Sequence, residues 1–404
     1  MSPLNTYRRL LNLAGPGYVL VAFLGRLPLA MSQLGALLLV STATGRYTAG
    51  GLTAGTLAAA NAIGAPIAGA IADRVGQRPV VLTQSLVAAT AVAGLVGLVT
   101  TDAPLPQVVA IAAVVGLAIP QVGPLARVRW RPMTRKAGDG QRRLIDAAFS
   151  YEGAADEASF VLGPALVGAI AVLINPGAAL LVAAGLLAVF GCWFALHPTA
   201  RITGHHVGDG AALRRRLITT GLVILAAAQL LIGVIFGATQ TGTTALATQE
   251  GRAGAAGLVH ALLGVGSVIA GLSVAGLPER FGYERRLATF AGALFVLSAP
   301  LLAVGTISAL VPVVIALGFA VAPYMITVFT LAERIVPSNR VGTAATLLAG
   351  ATGVGYALGS ALAGGLADLG GHRPAFAVAV AAGAVALSLA LIVRPQLADA
   401  ARRS

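Results

Sequence analysis

Five ionisable side chains stand in or at the edge of otherwise apolar stretches: Arg26, Glu152, Asp156, Glu157 and His260. In hydrocarbon each costs about 2.5–3.5 kcal/mol unless paired or hydrated, so each calls for a partner or a purpose. The run Glu152-Gly-Ala-Ala-Asp156-Glu157 crowds three carboxylates together. Their mutual repulsion favours keeping a proton on one of them, which is what a proton carrier requires. On a helix Glu152 and Asp156 share a face with Gly163, and Glu157 points elsewhere. The competing reading is a gate network, with these acids paired to Arg129, Arg131 or loop arginines. Arg26 offers either an anion or proton-coupling site or a permanent ion pair with one of the carboxylates. His260 titrates near neutrality, which suits coupling, although a lone histidine also serves as a hydrogen-bonded packing residue.

Other chemistries find no footing. His205, His206 and Asp209 fall in a hydrophilic linker and read as solvated rather than as a metal site. Lys136, the sole lysine, lies outside any Gly-x-x-x-x-Gly-Lys loop, so nucleotide hydrolysis is not expected. No Ser-His-Asp constellation or metal-ligand helix motif rises above chance, and no enzyme activity, metal or cofactor is anticipated. Cys192 is alone, which excludes a disulfide framework.

The elements that must position these residues follow from composition. Of 404 residues 57% are hydrophobic and 10% charged, with a mean hydropathy of +0.87. Soluble domains carry about 25% charged residues, so the chain reads as a polytopic helical membrane protein. A helix crosses about 30 Å of hydrocarbon in about 20 residues. Twelve such runs occur, near 17–41, 49–72, 80–100, 106–126, 150–174, 177–196, 217–241, 254–277, 287–306, 309–331, 343–366 and 374–393. The hydrophilic break at 197–216 separates residues 1–196 and 217–404 into two six-helix bundles. Segment 3–13, with Arg8 and Arg9, is expected on the membrane surface. The net charge of +13 does not indicate nucleic acid, because the charge sits in short clusters between apolar runs. With both termini inside, 23 of the 27 basic residues fall on the cytoplasmic side and Arg46, Arg252 and Arg373 outside. Twenty-six arginines against one lysine suggest a bacterial source, and hence the inner membrane.

The halves repeat a motif. The loop after the second run contains Gly69, Asp73, Arg74, Gly76 and Arg78; the loop after the eighth contains Glu279, Arg280 and Gly282 at matching spacing. Gly76 and Gly282 are the expected turn residues of two-helix hairpins. With this repeat the sequence resembles the major facilitator superfamily over essentially its whole length. The resemblance implies two pseudo-symmetric six-helix bundles that rock about a midplane site. It also implies that Asp73 caps the eleventh helix near Val341 to Thr343 and locks the inner gate while the protein faces outward. The second copy departs from the pattern, with Glu279 for Asp and Pro278 before it.

Gly163, Pro164 and Gly168 in the fifth run are similar to the glycine-proline motif of the drug–proton antiporter branch; Gly355 and Gly359 form a related run in the eleventh. Such glycines also serve plain helix packing. The fourth run, Gly116 to Pro124, lacks the arginine that many antiporters carry. In the resembling superfamily the first, fourth, seventh and tenth helices line the cavity. That singles out Gln33, Gln121, Gln229, Gln240, Tyr324 and Thr327 as substrate contacts, with interhelical hydrogen bonding as the alternative role. The expected activity is proton-coupled export of a small hydrophobic or amphipathic compound by a monomer. The alternatives are proton-coupled import of a sugar or other polar metabolite and, more remotely, a membrane receptor. Trp130 and Trp193 fall outside the expected cavity helices, so stacking rings for a sugar are scarce.

Overall fold

The computed structural model describes residues 3–135, 138, 141–201, 220–274, 281–336 and 341–403. Among these the secondary structure is entirely helical, and the twelve expected spans are all present. Helix α1 (Pro3–Ala14) precedes a first span made of α2 (Pro16–Leu24) and α3 (Leu27–Thr44). The second and third spans are α4 (Tyr47–Val75) and α5 (Gln77–Thr100); the fourth combines α6 (Leu105–Ala118) and α7 (Val122–Met133). The fifth is α8 (Gln141–Leu173), and the sixth joins α9 (Pro176–Leu186) to α10 (Cys192–Leu196) through a π-helical turn. The second half comprises α11 (Thr220–Gln249), α12 (Ala255–Val274), α13 (Tyr283–Ser298), α14 (Ile307–Ile335), α15 (Val341–Gly370) and α16 (His372–Arg403). Eleven spans are long and apolar enough to cross a membrane; the twelfth, within α12, is a shorter apolar helix at Ala255–Gly271. Of the expected linker, residues 202–216 lie outside the described residues, and Pro198–Arg201 forms one 3-10 turn.

Two of the spans that run past their expected ends do so for one reason. The fourth continues to Met133, because Arg129 and Trp130, which read as loop by polarity, are fully buried and bonded within the bundle. The seventh runs to Gln249, because its Thr- and Gln-rich end is buried among neighbouring helices rather than exposed.

Proline breaks the first and fourth spans at their centres. Pro28 has no N–H to give Leu24, and the chain makes one loose turn at Gly25 and Arg26 before α3 begins. Pro120 pushes Ile119 to an extended conformation (φ −61°, ψ 120°), and Gln121 stands in the gap. Pro120 also deprives the Gly116 carbonyl of its helical donor. Asn61 of α4 supplies a replacement, its Nδ2 donating to Gly116 O at 3.1 Å.

Glycines set the close approaches. A Cβ at Gly163 would meet Ala30 of α3 at 2.6 Å, and one at Gly168 would meet the α12 backbone at 2.7 Å. Gly355 and Gly359 instead face α11, where carbonyls of Leu230 and Val234 occupy the space a Cβ would need. The opposite side of α15 meets α4: a Cβ at Gly55 would lie 2.8 Å from Ala357 O, and Ser360 Oγ donates to Gly51 O at 3.0 Å. The two loop glycines are not equivalent. Gly76 carries φ +91° and forms the one-residue turn between α4 and α5. Gly282 has an ordinary φ of −56°, so the expectation that both copies need glycine for the turn holds only for the first.

These contacts predict a contrast in stability. Gly355→Val forces α15 away from α11 and lowers the melting temperature of the detergent-purified protein by many degrees. Gly69→Ala, whose Cβ meets nothing within 4 Å, leaves it unchanged.

Candidate functional site

The break in the first span presents Arg26 to α8. Its Nη2 is bonded to Glu152 Oε2, and its Nε lies 3.5 Å from Asp156 Oδ1. Arg26 is 5% and Glu152 0% exposed, so the pair is sealed in the bundle. Trp130 of α7 completes the carboxylate, its Nε1 donating to Glu152 Oε1 at 2.6 Å. Asp156 is more accessible and takes a second partner, Arg127 Nη2, at 2.5 Å. Two guanidinium groups and two carboxylates thus form a neutral cluster across the first, fourth and fifth spans. Neutrality is what permits charge at this depth, since an unpaired ion there is far more costly than a matched set. Two nitrogens of Arg26, Nε and Nη1, have no hydrogen-bond partner within the protein.

The arrangement corrects one expectation. The acids pair with Arg26 and Arg127, not with Arg129 or Arg131. Arg129 points away, donating to Gln77 Oε1 at 2.9 Å and to Phe194 O and Thr199 Oγ1 at 3.0 Å, with its guanidinium over the Phe194 ring. It ties the ends of the third, fourth and sixth spans together. Beside it, His197 is held below the usual imidazole range by burial first and by the Arg129 cation second. The stretch Gly116 to Pro124 of the fourth span holds no arginine; Arg127, Arg129 and Arg131 follow beyond its break. Glu157 has a side chain outside the described residues.

Of the expected substrate contacts, Gln33 and Gln121 are half-buried, and Gln121 donates to Asn61 Oδ1 at 3.1 Å. Gln121 and Asn61 therefore form one polar patch at the second helix break. The second half is drier. Tyr324 is 1% exposed and donates to Ala228 O at 3.0 Å, while Thr327 Oγ1 bonds back to Pro323 O. Gln240 accepts from the Tyr356 hydroxyl, and Gln229 is fully buried with both amide atoms unpartnered. In this conformation these four face protein rather than an open cavity. On α12, His260 has a buried Nδ1 without a partner.

The inner-gate motif lies on the face that carries the arginine-rich loops, here called the basic face. Asp73, Arg74 and Arg78 are exposed there. The side chains of Val341 to Thr343, which the resemblance makes the partners of Asp73, lie outside the described residues, as do Glu279 and Arg280. On the opposite face the halves are sealed. Hydrogen bonds between the halves gather at that end of α4, α11 and α15. Below the seal Leu37, Ala54, Ala58 and Tyr356 form an apolar plug with Phe236 packed against it. A separate groove of about 540 Å³ between α4, α5 and α6 is lined by Ile67, Ile71, Val87 and Leu117 and holds no charged group.

A buried ion cluster at one helix break, an amide patch at the other, a plug between two six-helix bundles and a sealed face are the features of a carrier. Comparison with known families agrees. The family model of the Major Facilitator Superfamily matches residues 17–349 and 244–404. The chain belongs to the major facilitator superfamily. No curated protein matches the sequence. Among solved structures, the nucleoside transporter NupG is similar with a TM-score of 0.70 at 15% identity, covering 94% of this chain and 97% of that one. A variant of the peptide transporter POT is similar at 0.68 and 15% identity, covering 94% of each chain. The human organic anion transporter MFSD10 (TETRAN) is similar at 0.56 and 18%, covering 93% of this chain and 100% of its own. At such identities the likeness shows the superfamily fold alone. Membership makes this chain a multi-pass membrane transporter.

Three residues of this site escaped the sequence reading: Asn61, Arg127 and Trp130. Asn61 was detectable as the sole asparagine within an apolar run. Arg127 and Trp130 were not, because a basic cluster after an apolar run has the pattern of a loop.

The cluster generates a stability test. Glu152→Gln leaves Arg26 short of one charge and costs about 3–5 kcal/mol, the usual penalty for breaking a buried pair. Arg26→Gln costs a similar amount. The double substitution costs clearly less than the sum, and a double-mutant cycle of thermal unfolding measures the difference.

Proposed function

We propose that this transporter exchanges protons for a small hydrophobic or amphipathic compound and exports it, with Asp156 as the proton carrier. The observation that carries this reading is the position of Asp156 between Arg26 and Arg127, on three different spans, with its side chain 27% exposed. Glu152, fully enclosed with Arg26 and Trp130, serves as the fixed partner. A proton on Asp156 replaces a guanidinium as its partner and frees Arg127 to turn toward the cavity. Proton uptake is thereby tied to the packing of the first, fourth and fifth spans against one another. Moving one elementary charge through 100 mV supplies about 2.3 kcal/mol, enough for a gradient of roughly fiftyfold.

Export is favoured over import by the lining. Apart from the paired ions, the polar groups at the helix breaks are a few amides, and the aromatic side chains are engaged, Trp130 with Glu152 and Tyr324 of α14 with Ala228. A sugar site needs free stacking rings and dense hydrogen bonding. The Gly163-Pro164 motif, similar to that of the antiporter branch, supports the same direction. In this reading the basic face is cytoplasmic, the protein sits as a monomer in a bacterial inner membrane, and Gln33 and Gln121 touch the substrate.

The test is proton flux in proteoliposomes containing an internal pH dye, with hydrophobic cations and sugars added in turn. Antiport appears as substrate-driven proton movement opposite to the substrate, abolished by Asp156→Asn and retained in His260→Asn. Movement of proton and substrate in the same direction overturns the export assignment. Coupling that persists in Asp156→Asn removes Asp156 as the carrier.

A further inference from the structure

The sealed face holds a contact that the proposed mechanism does not use. Asp368, at the end of α15, reaches across to the other half and caps the first turn of α4. Its Oδ1 accepts from Tyr47 N at 2.6 Å and its Oδ2 from Thr48 N at 2.9 Å, with Thr48 Oγ1 also donating to Oδ2. Free N–H groups at a helix start carry partial positive charge, and a carboxylate satisfies them with both hydrogen bonds and charge. The residues that α4 offers before its own start, Gly45 and Arg46, provide no side-chain cap. The second span therefore borrows its cap from the eleventh, 321 positions away.

A second observation locates what this cap holds shut. The end of α11 beside it reads Thr239-Gln-Thr-Gly-Thr-Thr244, and every threonine in that run is at most 1% exposed. The hydroxyls of Thr239 and Thr243 have no partner at all. Thr243 falls on the same helical face as Phe236, which packs against the plug shared by the two halves. Leaving buried hydroxyls unsatisfied is unfavourable, and water satisfies them as soon as the halves part on this side. Polarity without partners marks this as a surface that is wet in another state.

We infer that Asp368 is the gating residue of the face opposite the arginine-rich loops: its cap on α4 holds this side closed and must break for the seam around Thr243 to open. The device inverts the arrangement implied for Asp73, in which an acid of the second span's loop caps the eleventh helix on the basic face. One helix pair would then carry a carboxylate latch at each end, with only one engaged at a time.

The inference rests on the chain alternating between two faces, but its test needs neither substrate nor protons, so a failed transport assay does not decide it. In a Cys192→Ser background, Thr243→Cys is labelled with a maleimide in lipid nanodiscs, where both faces are accessible. Thr327→Cys, buried within the second half alone, serves as the control. Asp368→Ala is expected to raise the labelling rate at position 243 about fivefold, the size of a lost helix cap, and to leave the control rate unchanged. Asp368→Asn, which retains one acceptor oxygen, gives a smaller rise. Thr48→Val, which removes only the hydroxyl donor, gives a rise in the same sense should Asp368→Ala fail to yield monodisperse protein. An unchanged rate at position 243 in these variants overturns the inference, and so does an equal rise at position 327, which signals general loosening.

Discussion

A single positive charge held deep in an apolar bundle constrains much of the first half. Arg26 cannot be left alone in hydrocarbon, so carboxylates must reach it, and both come from one helix, α8. Those carboxylates bring a compensating cation, Arg127, and a neutral donor, Trp130, from α7. The register of α8 against the first and fourth spans follows, because a shift by one residue would turn Glu152 off the Arg26 face. Gly163, just under two turns beyond Asp156, then falls against Ala30, where only a hydrogen side chain fits.

Proline makes room for that chemistry. Continuous helices would give Arg26 and Gln121 ordinary places on a helix wall. Breaks at Pro28 and Pro120 put both residues into gaps where backbone polar groups are unsatisfied and side chains can gather. Asn61 answers one such gap, donating to the carbonyl that Pro120 orphans and accepting from Gln121. Non-helical backbone at membrane depth persists where protein or a cavity shelters it, and here both breaks occur in the half that carries the Arg26–Glu152 pair.

How much of this was legible in the sequence depended on the range of the interaction. Spans were legible because twenty apolar residues in a row have one physical meaning in a bilayer. The co-facial placement of Glu152 and Asp156 was legible because helix geometry is local. The choice between Arg26 and the loop arginines as their partners was not, since it depends on where separate spans meet. Arg127 and Trp130 were misread as loop because polarity signals water, and the signal reverses when the partner is another buried ion. The Asp368 cap was invisible for the same reason: nothing near Asp368 in sequence indicates that the start of α4 lacks a cap of its own.

The seam between α4 and α15 joins backbone to backbone, through Gly51, Gly55, Ala357, Ser360 and Gly364. Almost no long side chain has to be immobilised when it closes, so closure forfeits little rotational freedom. Nor does its opening wait on the repacking of interlocked side chains, since smooth helix flanks slide past one another without changing rotamer. Once the Asp368 cap is broken, parting along this seam is a matter of rigid bodies separating and of solvent filling the cleft rather than of rearrangements within either half.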